Sequence, residues 1–103
     1  MTRPLHRPPT ARQLACLRAI AAHLRAHGYA PTYRELGHAL GIAHNSAMLH
    51  CLALERRRLL VMEYGGYYGD KAPARALRLT PAGRLWVLEQ EAVSALDAAR
   101  GGP

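Results

Sequence analysis

Arginine is the residue type whose abundance and placement predict binding chemistry in this sequence. It provides 13 of the 14 basic residues, Lys71 being the other, and the net charge is +7. The charge is uneven, because residues 1–60 hold nine arginines against two glutamates, whereas residues 61–103 are neutral overall. A small, strongly basic domain usually binds a polyanion, most often nucleic acid and less often a membrane surface or an acidic protein.

Enzymatic chemistry is not indicated. The serines are Ser46 and Ser94, and the sequence shows no Ser/His/Asp set, phosphate-binding glycine loop or carboxylate cluster. We therefore expect no catalytic residues, no cofactor and no enzymatic activity.

Six histidines raise the question of a metal site. His23 and His27 lie four residues apart in a helical pattern, so that both imidazoles could reach one Zn²⁺. A structural zinc needs four ligands, however, and no other candidate is spaced to join them. We expect a solvated pair and no bound metal.

The length of 103 residues fits one domain, and half of the chain is hydrophobic, which suffices for a small core. No apolar run approaches the roughly 20 residues of a membrane span, and residues 1–9 lack the apolar segment of a signal peptide. Cys16 and Cys51 both fall in helical patterns and are expected to be reduced and buried. These features predict a cytoplasmic protein without a membrane partner.

Two capping boxes predict where the first two helices begin. Thr10-Ala-Arg-Gln13 and Thr32-Tyr-Arg-Glu35 each place a hydroxyl at the N-cap and a Gln or Glu three residues later. The first helix then covers residues 10–27 and is stopped by Gly28. Residues 1–9, rich in Pro and Arg, precede it as a flexible basic arm.

A short helix, a tight turn and a longer helix follow within about 25 residues. The short helix is expected to bury its apolar residues, which are Leu36, Ala39 and Leu40. It ends at Gly41, and Ile42 anchors the turn. The third helix begins at His44 or Asn45 and continues to Arg57. This outline is that of a helix-turn-helix.

The second half of the chain predicts a β-hairpin and a long helix. Strands are expected over residues 59–64 and 75–80, with a loop between them. Thr80 caps the last helix, which has Pro81 at its first position and continues to about Arg100. The predicted fold is α+β and mainly helical: a winged helix-turn-helix with three helices, a hairpin wing and a long C-terminal helix.

Residues 8–80 resemble a known family. Thr10-x-Arg12-Gln13, Gly28-Tyr-Ala-Pro-Thr-x-Arg-Glu-Leu36 and Leu40-Gly-Ile42 are similar to the DNA-binding domain of LexA-type SOS repressors. Leu54-Glu-x-x-x-Leu-Leu60 resembles the end of the recognition helix of that family. The resemblance implies that the third helix enters the major groove of DNA.

A second resemblance concerns the last helix. Leu79-Thr-Pro-Ala-Gly-Arg84 is similar to the start of the C-terminal helix in MarR- and PadR-type regulators, which commonly dimerises. We therefore divide the chain into an arm (1–9), a winged helix-turn-helix DNA-binding domain (10–80), a C-terminal dimerisation helix (81–100) and a tail (101–103). The candidate dimerisation residues are Leu85, Leu88, Ala92 and Leu96. This stripe packs either on its own domain or on a second copy, and we favour the second copy.

Four features depart from the LexA pattern. LexA repressors have a C-terminal peptidase with a Ser/Lys dyad, and we expect no self-cleavage here. Arg58 replaces the glycine that usually precedes the first wing strand, and the turn into the third helix is one residue shorter. Leu49 stands where acidic or polar residues are usual, so we expect an operator other than the SOS sequence.

The outer face of the third helix carries the candidate base-reading residues. Helical spacing places Ala47, Cys51 and Leu54 on one face, which we expect to pack against the core. The opposite face then holds Asn45, Leu49, Ala53 and Arg56, with Ser46 and Leu52 on its flanks. Asn45, Ser46 and Leu49 are our base-reading candidates, because Asn can bond to adenine and Leu can contact the thymine methyl group. Alternatively, Asn45 or Ser46 only caps the helix, and Leu49 and Leu52 pack against the wing or a partner.

Contacts to the phosphate backbone form a second group of candidates, namely Thr32, Tyr33, Arg34, His44, His50, Arg56 and Arg57. The start of the second helix offers free N–H groups and the positive end of the helix dipole. Arg34 could instead pair with an acidic residue, and the basic run 56–58 could be a solvated face. His44 and His50 would make DNA affinity fall as the pH rises through their titration range.

The predicted wing adds four candidates, which are Tyr67, Tyr68, Lys71 and Arg75. They would contact the minor groove or the backbone. The tyrosines could instead only cover the hairpin.

These features together predict a sequence-specific regulator of transcription that binds double-stranded DNA, from a bacterium or a phage. We expect a repressor that occludes its operator as a homodimer. The alternative is a winged-helix adaptor that binds an acidic surface of RNA polymerase or of another regulator. An adaptor would keep its protein partner in an excess of random duplex DNA.

Overall fold

A computed structural model of the chain describes residues 8–62 and 77–100. Its elements, in chain order, are α1 (Ala11–His27), α2 (Tyr33–Leu40), α3 (His44–Arg56), β1 (Leu60–Met62), β2 (Leu77–Leu79) and α4 (Pro81–Arg100). The two strands form one antiparallel sheet. The predicted fold class, a mainly helical winged helix-turn-helix, is confirmed.

Both predicted capping boxes form at the helix starts. The Thr10 hydroxyl accepts from the Gln13 N–H at 3.1 Å, and the Gln13 side chain accepts from the Thr10 N–H at 3.0 Å. Thr32 and Glu35 repeat this exchange at 3.0 and 2.9 Å. Gly28 ends α1 in the left-handed region, with φ of 81°. The local sequence therefore determines these boundaries.

The turn between α2 and α3 is held by a close approach of backbone. The Ile42 N–H donates to the Gly37 carbonyl at 2.9 Å, and Ile42 is packed against the core as predicted. A Cβ on Gly37 would lie 2.7 Å from the Ile42 carbonyl oxygen, so the turn requires glycine there. The prediction that Ala39 is buried was wrong. Ala39 is exposed, because it lies about 100° around the helix from Leu40, and Gly37 takes the core side instead.

At the ends that the structure describes, the first strand begins one residue later and the second ends one residue earlier than predicted. The register pairs Leu60 with Leu79 and Met62 with Leu77. Leu59 does not join the sheet, because its N–H donates to the Leu54 carbonyl at 3.0 Å and closes the end of α3. At the other end Thr80 leaves the strand to begin α4. The remainder of both predicted strands and the loop lie outside the described residues.

The core lies between α1, α3 and the sheet. Its members include Leu17, Ile20, Leu36, Leu54 and Leu60, each at most 1% exposed. Cys16 of α1 and Cys51 of α3 are free thiols in this core and are fully buried, as predicted.

The helix α4 joins this body at its first turns. The Thr80 hydroxyl accepts from the Gly83 N–H at 3.0 Å and so caps the helix as predicted. Gly83 and Val87 are buried, and farther along, Glu91 pairs with Arg25 of α1. Within the described ranges, no helix is long and apolar enough to cross a membrane.

Candidate nucleic-acid interface

The helix α3 has one face in the core and one open to solvent. Ala47, Cys51 and Leu54 are each 0% exposed, which confirms the predicted core face. On the opposite side Asn45, Leu49 and Arg56 are exposed. A helix held in this way presents a rigid outer face of suitable width for a major groove.

Capping does not explain the polar residues at the start of α3. The N-cap is Ala43, and it makes no side-chain capping hydrogen bond. Asn45 and Ser46 follow inside the first turn, with Asn45 exposed and Ser46 half-buried. The alternative that one of them serves only as a cap is therefore wrong.

The two leucines on the outer half of α3 have different surroundings. Leu52 is half-buried and packs against the core, whereas Leu49 is 61% exposed. Packing therefore accounts for Leu52. An exposed leucine on a recognition face is instead available for apolar contact with a partner.

The start of α2 is less open to an anion than its sequence suggests. Its capping box already uses the N–H groups of Thr32 and Glu35, and it places the Glu35 carboxylate at the positive end of the helix. The prediction of a free N–H group is therefore wrong for Thr32. The remaining N–H groups of the first turn belong to Tyr33 and Arg34. Tyr33 packs partly against the core. Arg34 is exposed, and no acidic side chain in the described ranges forms an ion pair with it.

The basic run at the end of α3 faces outward in part. Arg56 is exposed, and Arg57 is the half-buried C-cap. Arg58 has φ of 61° and is the one non-glycine residue in the left-handed region among those described. This conformation explains why the LexA pattern has glycine here.

The two candidate histidines of α3 differ in position. His44, the first residue of the helix, is exposed. His50 is half-buried and lines a shallow cleft with Arg12 of α1 and Leu40 of α2. His44 therefore shares the open side of α3 with Asn45, and His50 lies toward the helix junction. The wing candidates Tyr67, Tyr68, Lys71 and Arg75 lie outside the described residues.

His23 and His27 of α1 belong to a polar cluster that the sequence pattern did not predict. His23 is not simply solvated: its Nδ1 donates to the Tyr29 carbonyl at 3.0 Å, and its Nε2 lies 3.6 Å from the Glu35 carboxylate. The His27 ring stacks on Tyr29. In the described part of the chain, no group of three or more His, Cys, Asp or Glu could hold a metal. The cluster therefore joins the end of α1 to the start of α2.

The helix α4 has two apolar faces on opposite sides. Gly83 and Val87 face the domain, whereas Leu85, Leu88 and Leu96 are 61%, 58% and 63% exposed. Leu96 follows Val87 by nine residues, or two and a half turns, which places the two on opposite sides. The alternative that the leucine stripe packs on its own domain is therefore wrong for Leu85 and Leu96, whereas Leu88, at the edge of the stripe, borders a cleft between α4 and α1.

Comparison with known proteins gives a consistent result. Residues 6–65 match the family described as the LexA DNA binding domain. The chain is 44% identical over 77 residues to the LexA repressor of Anaeromyxobacter dehalogenans strain 2CP-1, a match that covers 73% of this chain and 30% of that repressor. It is also 44% identical over 61 residues to the LexA repressor of Geotalea uraniireducens, covering 58% of this chain and 30% of the repressor. The aligned part is thus less than a third of each repressor.

Proposed function

The chain belongs to the family of LexA DNA-binding domains, and we propose that it represses transcription by occupying an operator in double-stranded DNA as a homodimer. The observation that carries the proposal is the two-sided α3. Its inner face is fully buried through Ala47, Cys51 and Leu54, and its outer face leaves Asn45 and Leu49 exposed. The curated relatives are LexA repressors, which supports repression as the outcome of binding.

We assign base reading to Asn45, Ser46 and Leu49. The exposed Asn45 amide suits the N6 and N7 atoms of adenine, and the Leu49 side chain suits a thymine methyl group. Ser46 is half-buried at the edge of this face, so it reaches fewer base atoms. Such a surface favours A·T pairs in the half-site.

We assign phosphate contact first to Arg34 and Arg56, which are exposed on α2 and α3. Neighbouring candidates add to this set: Thr32, Tyr33, His44, His50 and Arg57. The predicted wing residues Tyr67, Tyr68, Lys71 and Arg75 complete it. Backbone contacts of this kind fix the orientation of α3 without reading sequence.

The leucine stripe of α4 supports dimerisation. Leu85, Leu88, Ala92 and Leu96 are exposed along one face of a 20-residue helix, and an exposed apolar stripe in water is stabilised by a matching partner. A two-fold pair of α4 helices would place two recognition helices on an inverted repeat. The likeness to MarR- and PadR-type dimerisation helices is part of this proposal.

The salt dependence of DNA affinity tests the phosphate assignment. Each neutralised phosphate contributes about 0.9 to the slope of log affinity against log salt. Arg34→Gln should therefore reduce the slope by about one unit for every duplex sequence. Arg18→Gln removes the same charge from the exposed side of α1 and serves as the control. An unchanged slope in the Arg34 variant would contradict the assignment.

The base-reading assignment needs a separate variant. Asn45→Ala should reduce the preference for the selected site over random duplex by about 1–3 kcal/mol, with the salt slope unchanged. An equal loss of affinity for the selected site and for random duplex would show that Asn45 contributes to affinity but does not read sequence. Persistence of binding to a protein partner in excess random DNA would instead favour an adaptor.

A further inference from the structure

A cleft of about 460 Å³ lies between α1, β2 and α4, on a part of the molecule not assigned to DNA. Its walls are apolar and consist of Ala21, Leu24, Leu79, Val87 and Leu88. This volume falls within the roughly 300 to 1,000 Å³ of small-molecule sites, which are also mainly apolar with a few polar groups. The cleft is therefore large enough for an organic ligand.

The polar groups of the cleft are positively charged overall. Arg25, Arg78, Arg84 and Glu91 line it together with the apolar walls. Arg25 donates two hydrogen bonds to Glu91, at 3.3 and 2.5 Å, and these bonds hold the pKa of the Glu91 carboxyl below its usual value. This pair is satisfied, and the positive charge that remains for a ligand is that of Arg84.

Arg84 is the residue best placed to receive a negative charge. It is exposed on the first turn of α4, and no acidic side chain in residues 8–62 or 77–100 forms an ion pair with it. An arginine beside an apolar cleft binds a carboxylate through charge-assisted hydrogen bonds. A small hydrophilic anion is not the best ligand, because it would leave the apolar walls of the cleft exposed to water.

We propose that this cleft binds an organic monocarboxylate with an apolar body. The body lies against Leu24, Leu79 and Val87, and the carboxylate pairs with Arg84. The ligand would contact α1, β2 and α4 at once. Its role as an effector of repression rests on the proposed function, whereas its binding does not.

A second copy of the chain fits the cleft less well than a ligand does. The exposed stripe of α4 lies opposite Val87, which forms a wall of the cleft. Leu88 is the stripe residue that also reaches the cleft. A partner helix on Leu85 and Leu96 therefore leaves most of the cleft open.

Titration calorimetry of the full chain with octanoate, in the absence of DNA, tests the site. We expect one octanoate per chain, and no comparable binding of acetate or of neutral octanamide. Arg84→Gln should weaken octanoate binding about tenfold. Arg12→Gln, a surface change outside the cleft, and Leu96→Ser, a change in the exposed stripe, should each leave it unaltered.

Chemical shifts locate the bound octanoate independently of affinity. The amide signals of Ala21, Leu79 and Val87 should move on titration, and those of Leu96 should not. Absent binding, equal binding in the Arg84 variant, or binding lost in Leu96→Ser would overturn the proposal. So would affinity that falls as protein concentration rises, because a second copy would then occupy the cleft. Octanoate binding without any effect on DNA affinity would retain the site and remove only its effector role.

Discussion

The hydroxyl of Thr80 donates a hydrogen bond to the carbonyl oxygen of Arg58 over 2.7 Å. The same hydroxyl accepts from the Gly83 N–H, and the Thr80 N–H donates to the Leu59 carbonyl at 3.2 Å. These bonds join the turn that follows α3 to the first turn of α4. In the proposed dimer, this junction sets the angle between the recognition helix and the dimerisation helix.

Arg58→Gly should stabilise the protein. Arg58 occupies the left-handed region at φ of 61°, which costs a non-glycine residue roughly 1–2 kcal/mol. Part of that gain is offset by the greater entropy of glycine in the unfolded chain, so we expect a net rise of about 1 kcal/mol in the free energy of unfolding. Denaturant titration measures it. Arg57→Gly is the control and should destabilise, because Arg57 has φ of −84°.

Gly83→Ala should destabilise strongly. A Cβ at this position would lie 2.1 Å from the Leu59 carbonyl oxygen, so α4 must move away from the turn. We expect a loss of roughly 3 kcal/mol by thermal or denaturant unfolding. Gly28→Ala provides the comparison, since it meets nothing within 4 Å and carries only the strain of φ at 81°, about 1 kcal/mol. Equal losses in the two variants would contradict the close packing of α4.

The start and end of each helix could be predicted because their signals are local. The capping box at Thr10 needs only residues within one turn, and so does the glycine stop at Gly28. The strand ends could not be predicted in this way. Leu59 and Thr80 look like strand residues. The Leu59 N–H instead donates to Leu54 at the end of α3, and the Thr80 hydroxyl donates to the carbonyl of Arg58, which is distant in sequence.

The core face of α3 was also predictable, because Ala47, Cys51 and Leu54 follow helical spacing closely. The packing of α4 was not. Its domain-facing side begins with Gly83, which has no side chain and so adds nothing to a periodic apolar pattern. The pattern in this segment therefore comes from the exposed leucines. The contacts of His23 could not be predicted for a related reason. Its partners, Tyr29 and Glu35, belong to the next turn and the next helix.

The buried thiols predict a loss of stability in alkali. The hydrogen bond with Cys16, together with burial, raises the pKa of the Cys51 thiol above its ordinary value. The unfolded chain then loses this proton near pH 8.5 while the folded chain retains it. The stabilisation is complete below that pH, and unfolding free energy should fall by about 1.4 kcal/mol per pH unit above it.

Denaturant titrations between about pH 8 and 10 measure this slope. The double variant Cys16→Ala/Cys51→Ala is the control and should lack it, whatever its absolute stability. A native protein whose stability is level over this range would contradict the raised pKa of the Cys51 thiol.

Leu96→Glu should disrupt the proposed dimer without unfolding the domain. Leu96 is 63% exposed on the free chain, so the change costs the monomer little, but it places a charge in an apolar interface. We expect the dimer to weaken at least a hundredfold, measured by sedimentation. Ser94→Glu adds the same charge on the other side of α4, nine residues after Leu85, and should leave the dimer intact. A wild-type chain that sediments as a monomer at all concentrations would contradict the interface.

Selection from a randomised pool of DNA duplexes at near-physiological salt is the decisive measurement for sequence-specific binding as a dimer. We predict enrichment of an inverted repeat, with a half-site different from the SOS operator and a spacing fixed by the pair of α4 helices. Enrichment of a single half-site would retain base reading by α3 and contradict the dimer. Binding without enrichment of any sequence would contradict the claim that this protein is a sequence-reading repressor.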